Sequence, residues 1–419
     1  MSAVSSEVVH GEGVRQAAYS GLVPEFPHSR LRRWPDVEAD NLQAHDATDL
    51  LLVERALALD VPGSETVVIG DEYGAITLAL TAAGRRGIRV HQDLATGRRA
   101  LARNAEELGS GGFTPHELDE GLLAGAQLVL LQLPKALAEL EEIADAVARW
   151  AAPDVVLVAG GRVKHMTLAQ NDVLARSFAQ VQAQRAERKS RLLVASEPLP
   201  VPESPPFPVS AWHGDLVLVA HGGAFAGSRL DIGTRVLLEV LGLGGPQLRR
   251  TEVTRAENER NGGESSRSSG VVNGGRRVLD LGCGTGALAA SWALASPRDR
   301  VVATDRSAAA VASARGTASA NGVADRVEVT HDDAGSALAA GSFDTVLLNP
   351  PFHLGASVHT GAATRLFEAA ARLLRPGGEL FTVYNSSLGY RAELTRLLGP
   401  TEQLRRTPKF TVTRTVRRP

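Results

Sequence analysis

At 419 residues with 43% hydrophobic content, the chain can bury substantial cores and has the length of two or three domains. A formal net charge of −2 argues against binding nucleic acid by bulk charge alone, and the single cysteine, Cys283, excludes a disulfide framework and a cysteine zinc cluster. No apolar run reaches the roughly 18 residues of a membrane span and no basic-then-apolar signal opens the chain. A cytoplasmic protein with no membrane partner and no metal is expected.

In chain order, Val67-Val-Ile69 is the first buried strand, and Gly70-Asp-Glu72-Tyr-Gly74 turns it into a helix over 75–83. Val90-His-Gln-Asp93 ends a second strand on a carboxylate, and Leu128 to Gln132, before Leu133-Pro134-Lys135, is a third. The stretch from Arg176 to Arg191 is basic and includes Arg185, Arg188 and Lys189. Ser196 to Pro208 is proline-rich and predicts an extended linker. A strand follows over 215–220, and Phe225 to Thr234, containing Asp231 and Gly233, leads into a helix over 235–241. Asn258 to Gly275 has no apolar periodicity and predicts a disordered surface excursion.

The second half repeats the pattern with chemistry attached. Arg277-Val-Leu-Asp280-Leu-Gly282-Cys-Gly284-Thr-Gly286 is a strand ending in a glycine turn, followed by a helix over 287–295. Backbone N–H groups and the positive end of the helix dipole face a ligand there. Val301 to Asp305 ends the next strand with a carboxylate placed to accept both ribose hydroxyls. These residues call for a nucleoside-type ligand and leave NAD and S-adenosylmethionine both open. A strand over 327–330 leads to Asp332-Asp333-Ala334. A further strand over 344–348 stops at Asn349-Pro350-Pro351-Phe352, where two prolines forbid helix and force an extended loop. An amide, a bare proline carbonyl and an aromatic ring then project from the carboxyl edge of the sheet, a pocket for a flat, amino-bearing heterocycle. His353 adjoins it, and the strand over 379–384 brings Tyr384-Asn385 to the same edge. From Arg391 onward, eight Lys and Arg face two Glu, a second basic run. Cys283 is read as packing inside the turn.

The halves look like one fold used twice. Gly70 and Gly74 precede Gly282 and Gly286 by 212 positions, Asp93 precedes Asp305 by 212, and Gln132 precedes Asn349 by 217. The first copy is damaged: Val68 stands for Asp280, Glu72 for the central Gly284, and Gln-Leu-Pro-Lys for Asn-Pro-Pro-Phe. Glu72 would fill the turn and oppose a ligand carboxylate, so this half is expected to have kept its fold and lost its cofactor.

Taken together, Asp-x-Gly-x-Gly-x-Gly, Asp305 and Asn-Pro-Pro-Phe resemble the class I S-adenosylmethionine-dependent methyltransferases that modify exocyclic amines. Phe225 to Thr234 resembles a segment of bacterial ribosomal RNA guanine-N2 methyltransferases, which carry a dead N-terminal methyltransferase copy. Arg33-Trp-Pro, Asn41-Leu-Gln-Ala44, Leu133-Pro-Lys135 and Ala159 to His165 resemble the large-subunit (23S) branch. Ala226 departs from the family's usual serine, and the Gly/Ser-rich excursion near 258–275 lies beyond its pattern.

The resemblance implies two tandem Rossmann-like α/β domains, a degenerate one over 1–199 and a catalytic one over 200–419. It implies S-adenosyl-L-methionine held by Asp280, Gly282, Gly284, Gly286, Asp305, Asp333 and Ala334, with Asp231 and Thr234 beside it. Asn349 and Pro350 would accept from the guanine amine and Phe352 would stack the base. Pro351 and His353 would line the substrate side, and Arg185, Arg188 and Lys189 would contact ribosomal RNA, free or in a particle. The alternatives are 16S rRNA as substrate, an adenine-N6 or protein-glutamine methyltransferase, and a non-enzymatic RNA-binding protein. Intact glycines, Asp305 and Asn349 argue against the last.

Overall fold

The computed structural model describes residues 26–36, 38–39, 41–243, 275–351 and 360–419. Phe352, His353 and the 258–275 excursion up to residue 274 lie outside the described residues.

In the N-terminal copy, β1 (Thr66–Ile69), β2 (Ile88–His91), β3 (Phe113–His116), β4 (Leu128–Gln132), β5 (Val156–Arg162), β6 (Phe178–Ala183) and β7 (Ser190–Pro198) form one sheet. Its order is β3-β2-β1-β4-β5-β7-β6, parallel except for β7, which is antiparallel to β5 and β6. Strands buried on both sides read as continuous apolar runs, as Val67-Val-Ile69 and Leu128 to Leu131 do. One face packs against α1 (Ala47–Leu59), α2 (Ala75–Ala82) and α3 (Ala95–Glu107), the other against α4 (Glu120–Leu123), α5 (Leu137–Trp150) and α6 (Leu168–Leu174). The expected linker starts later than its prolines suggest. Ser196 and Pro198 still pair with Gln180 and Phe178, because Pro198 sits at a strand end where a missing N–H is tolerated.

A hairpin of β8 (Val209–His213) and β9 (Leu216–Ala220) follows, then α7 (Ile232–Leu241). The C-terminal sheet contains β10 (Arg277–Leu281), β11 (Arg300–Asp305), β12 (Val327–His331), β13 (Phe343–Leu348), β14 (Leu374–Asn385), β15 (Thr401–Arg406) and β16 (Phe410–Val416). Helices α8 (Ala287–Ala295), α9 (Ala308–Ala320), α10 (Thr360–Leu373) and α11 (Arg391–Leu397) accompany it. The order β12-β11-β10-β13-β14-β16-β15 reproduces that of the first sheet strand for strand. The chain is therefore two tandem Rossmann-like methyltransferase folds. Hairpin strand β9 belongs with the second. Its edge N–H groups at Val217 and Val219, and that of His221 just beyond, donate to Asn321, Thr317 and Ser313, a polar stripe at four-residue spacing along α9 and its C-terminal cap. Among the described residues, no helix is long and apolar enough to cross a membrane.

Candidate active site

In β10 and β13, Leu281 lies beside Leu348, so Gly282 and Asn349 leave the sheet side by side. This is the point where the strand order reverses, and the crevice outside the carboxyl ends is where such sheets bind ligands. Gly282, Gly284 and Gly286 have φ of +75°, +53° and +76°, a region that costs other residues about 1–2 kcal/mol. A Cβ at Gly282 or Gly284 would meet nothing within 4 Å, so the turn faces open space. At Gly286 it would come within 2.9 Å of the Ala314 Cβ, because α8 starts hard against α9.

Two carboxylates back this turn. Asp280 is 1% exposed; its Oδ2 accepts from the Ala289 N–H at 3.0 Å, while Oδ1 is buried with no partner. Burial, aided by neighbouring Asp305, pushes its pKa up to about 7. Asp305 accepts from the Gly284 N–H at 2.9 Å and the Ser307 N–H at 3.0 Å, and burial raises its pKa as well. A buried acceptor left unpaired costs about 1–3 kcal/mol. An open backbone cradle, an orphaned carboxylate oxygen and a second carboxylate at the end of the neighbouring strand suit a cationic nucleoside such as S-adenosylmethionine. Burial also pushes the Cys283 thiol up, which keeps it a packing group.

Asn349 is held by α7. Its Nδ2 donates to Asp231 Oδ2 and Thr234 Oγ1, both at 2.9 Å, and Asp231 also caps α7 through the Thr234 N–H at 3.1 Å. A carboxylate only accepts, so this contact fixes which end of the amide is nitrogen. Oδ1 is thereby presented as an acceptor, buried and without a partner. Space here is tight: a Cβ on Gly233 would lie 3.4 Å from Asn349 Oδ1 and 3.2 Å from the Phe410 ring. Asp231 and Thr234, expected beside the cofactor, thus also orient the amide. Pro350 is buried and Pro351 exposed. Tyr384, expected at this edge, is 2% exposed and packs edge-on to Tyr390 in the core beneath it.

Past β12, Asp332 ties its own loop together by accepting from the Asp333 N–H, the Ser336 hydroxyl and the Ala337 N–H. Asp333 is 6% exposed and paired with Arg365, a partner that sequence spacing did not suggest. Ala334 has φ +51°, held in the left-handed region by this loop.

The N-terminal edge keeps the outer glycines, Gly70 and Gly74, at φ of +85° and +89°, and differs between and beside them. A cavity of about 830 Å³ lies there, lined in part by Asp49, Asp71, Glu72, Gln92 and Glu139. Burial, with Asp71 nearby, pushes Asp49 up to about 8, and burial, with Asp93 and Glu142 nearby, pushes Glu139 up to about 7. Unlike Gly284, Glu72 does not take a positive φ, so the turn has another shape, and Glu72 is one of the residues lining the cavity. The strand register corrects one expected correspondence. Ile69 pairs with His91 where Leu281 pairs with Thr304, so the residue matching Asp305 is Gln92, not Asp93. Gln92 Oε1 accepts from the Leu94 N–H as Asp305 accepts from Ser307. The strand pairing is shifted by one residue, which a constant sequence offset conceals.

Of the basic residues, Arg188 and Lys189 form a two-residue hairpin turn between β6 and β7, with φ of +48° and +63°. Glu187 and Ser190 exchange backbone hydrogen bonds of 2.9 and 2.8 Å across it. Asn-Gly usually occupies such a turn, so two long cations with positive φ there are strained, and both are exposed. Arg188 also meets Glu54 at 2.7 Å, and Arg185 and Lys189 are exposed. The C-terminal run is more committed: Arg405 pairs with Glu239, and Arg414 with Glu379 and Glu402.

Residues 22–199 match the RLMG N-terminal domain and residues 271–414 the Methyltransferase small domain. The fold is similar to the T. thermophilus 16S rRNA N2 G1207 methyltransferase in complex with AdoMet and guanosine, at a TM-score of 0.65 and 24% identity. That match covers 89% of this chain and 92% of the other. The ribosomal RNA large subunit methyltransferase G of Pseudomonas paraeruginosa is 35% identical over 92% of this chain and 97% of its own. That of Streptomyces avermitilis is 34% identical over 93% and 97%. The chain belongs to the ribosomal RNA large subunit methyltransferase G family.

Proposed function

We propose that the C-terminal copy transfers a methyl group from S-adenosyl-L-methionine to the exocyclic N2 amine of one guanine in large-subunit ribosomal RNA. The observation that carries this reading is the Asn349 amide, locked by Asp231 and Thr234 with Oδ1 unpartnered beside the glycine turn. The guanine 2-amino lone pair is delocalised into the ring, so the amine is a poor nucleophile. Donation of its two N–H groups to Asn349 Oδ1 and the Pro350 carbonyl draws the nitrogen toward tetrahedral geometry and frees the lone pair. The cofactor supplies a methyl group on a sulfonium, an excellent leaving group, so alignment of the amine contributes most of the acceleration. The N–C bond forms as the S–C bond breaks, and the proton leaves the methylated nitrogen to water, so no strong base is needed. Asp305 holds the ribose, Asp280 faces the cofactor's positive charge, and Asp333 and Ala334 meet the adenine. Phe352 stacks the base, worth about 1–3 kcal/mol, with Pro351 and His353 beside it. The guanine must be unpaired or flipped out. Arg185, Arg188 and Lys189 contact phosphates, and the substrate places the reaction in the cytoplasm.

Mass-spectrometric mapping of ribosomal RNA from a deletion strain tests this. One N2-methylguanine of 23S rRNA should disappear and return with the wild-type gene but not with Asn349→Ala. Loss of a 16S mark, or of none, would defeat the reading. Comparing naked 23S rRNA with assembled subunits in vitro then identifies the form methylated.

A further inference from the structure

The two copies meet through equivalent loops, those after β2 and β11. Leu94 and Ser307 form an antiparallel bridge; the Ala95 N–H donates to Arg306 O at 2.7 Å, and the Ala308 N–H to Asp93 O at 2.9 Å. The backbone contact is close to two-fold symmetric, and the side chains are not. Asp93 Oδ1 accepts from the Ser307 hydroxyl at 3.1 Å and the Ala309 N–H at 2.9 Å, capping α9 of the other copy. Arg306, its counterpart, has no such role toward α3, whose first turn is capped by no side chain. His331 Nε2 lies within 2.9 Å of both Asp93 O and Arg306 O. One turn along α3, Arg99 pairs with Asp332 and donates to the Ser336 hydroxyl at 2.8 Å.

These contacts reach the loops that carry the cofactor residues. The Ser307 N–H is the anchor of Asp305 Oδ1, and Ser307 is held by Asp93. Asp332 organises the turn bearing Asp333 and Ala334, and Asp332 is held by Arg99. We infer that the N-terminal copy sets the cofactor affinity of the C-terminal one, with Asp93 and Arg99 as positioning residues for the Asp305 and Asp333–Ala334 loops. The inference rests on the reading that those loops hold S-adenosylmethionine. The dead copy then works on the half of the reaction its own decay abandoned. It leaves the Asn349 acceptor alone, because Asn349 is held by α7.

The test uses the full-length protein and S-adenosylhomocysteine as the calorimetric probe. Arg99→Gln and Asp93→Ala should each raise its Kd about three- to tenfold, the size of a modest coupling between sites. The KM for S-adenosylmethionine should rise in parallel, with kcat at saturating cofactor and the KM for RNA unchanged. Arg99→Lys, which keeps the charge, should recover most of the loss. Thermal melting separates a global effect, since titrations run well below each variant's Tm. Wild-type Kd in both variants would overturn the inference. So would a loss shared equally by kcat and the RNA KM, which would mark general damage. A wild-type protein that binds no probe would instead overturn the proposed function.

Discussion

The two copies share strand order, yet one ends in an open glycine turn and the other in a cavity walled in part by carboxyl groups. The difference sits in a few residues on one edge: Val68 for Asp280, Glu72 for Gly284, Gln92 for Asp305 and Gln132 for Asn349. None of these contributes a large apolar side chain that only one copy could bury. The fold is fixed by continuous apolar strands with helices on both faces, and the chemistry by what happens one residue past the strand ends. The residues of this edge can therefore change at almost no cost in architecture.

That contrast is breakable. The largest effect should come from Asn349→Ala, which we expect to lower kcat about a thousandfold, as loss of a transition-state hydrogen-bond partner does. Cofactor affinity should stay within a few-fold of wild type, and the matching Gln132→Ala should leave kcat unaltered. Steady-state methylation of 23S rRNA checks both; normal turnover by Asn349→Ala removes it from the mechanism.

Asp305→Ala should weaken cofactor binding about a hundredfold, as removal of a charge-assisted acceptor does. Calorimetry should give one site per chain in the wild type. Gln92→Asp should not add a second, because Glu72 and the altered turn remain. A stoichiometry of two in the wild type would show that the first copy is not dead.

Asp280 gives a smaller, pH-dependent effect. Its pKa is raised to about 7, so it is mostly neutral below that pH and loses its pull on a cationic cofactor. Cofactor Kd should rise about tenfold from about pH 8 to about pH 6, and Asp280→Asn should flatten the profile. The sign reverses for the unliganded fold. A carboxyl whose folded pKa is raised stabilises the fold at low pH and loses that contribution as pH climbs through about 7. Melting of the apo protein should show that slope, to which Asp49 and Glu139 contribute with the same sign, and Asp280→Asn should make it shallower.

The smallest effect concerns RNA. Neutralising Arg185, Arg188 and Lys189 together should raise the RNA KM a few-fold. The salt slope should become shallower by about one for each phosphate no longer neutralised. Cofactor Kd should not move. An unchanged salt slope would make the strained turn an ordinary solvated hairpin.

Much of this was legible in the sequence. Glycine turns, apolar strands and Asn-Pro-Pro-Phe are local signals, and α8, expected over 287–295, spans Ala287–Ala295. What sequence could not supply was pairing between distant segments. The Gln92 register, Arg365 on Asp333 and the interlocking of Asp93 with α9 depend on how strands and domains meet. A stripe such as Ser313, Thr317 and Asn321 was visible at four-residue spacing, but nothing local said that it would satisfy the edge of β9.

The first copy also bears a trace of its history at the start of α2. Asp280 Oδ2 accepts from the Ala289 N–H; in the dead copy Val68 replaces that aspartate, yet Asp71 Oδ2 accepts from the corresponding Thr77 N–H at 2.8 Å. Asp71 also takes the Gly74 and Ile76 N–H groups, at 2.9 and 3.1 Å, and is 1% exposed. The helix start has kept a buried carboxylate, delivered from three residues further along. Restoring an aspartate at Val68 alone would set a second buried negative charge against the first, both competing for one amide. Asp71 would have to go in the same step, and Glu72 after it. Reverting Val68 alone therefore passes through a less stable protein, and the carboxylate that replaced the lost one stands in the way of its return.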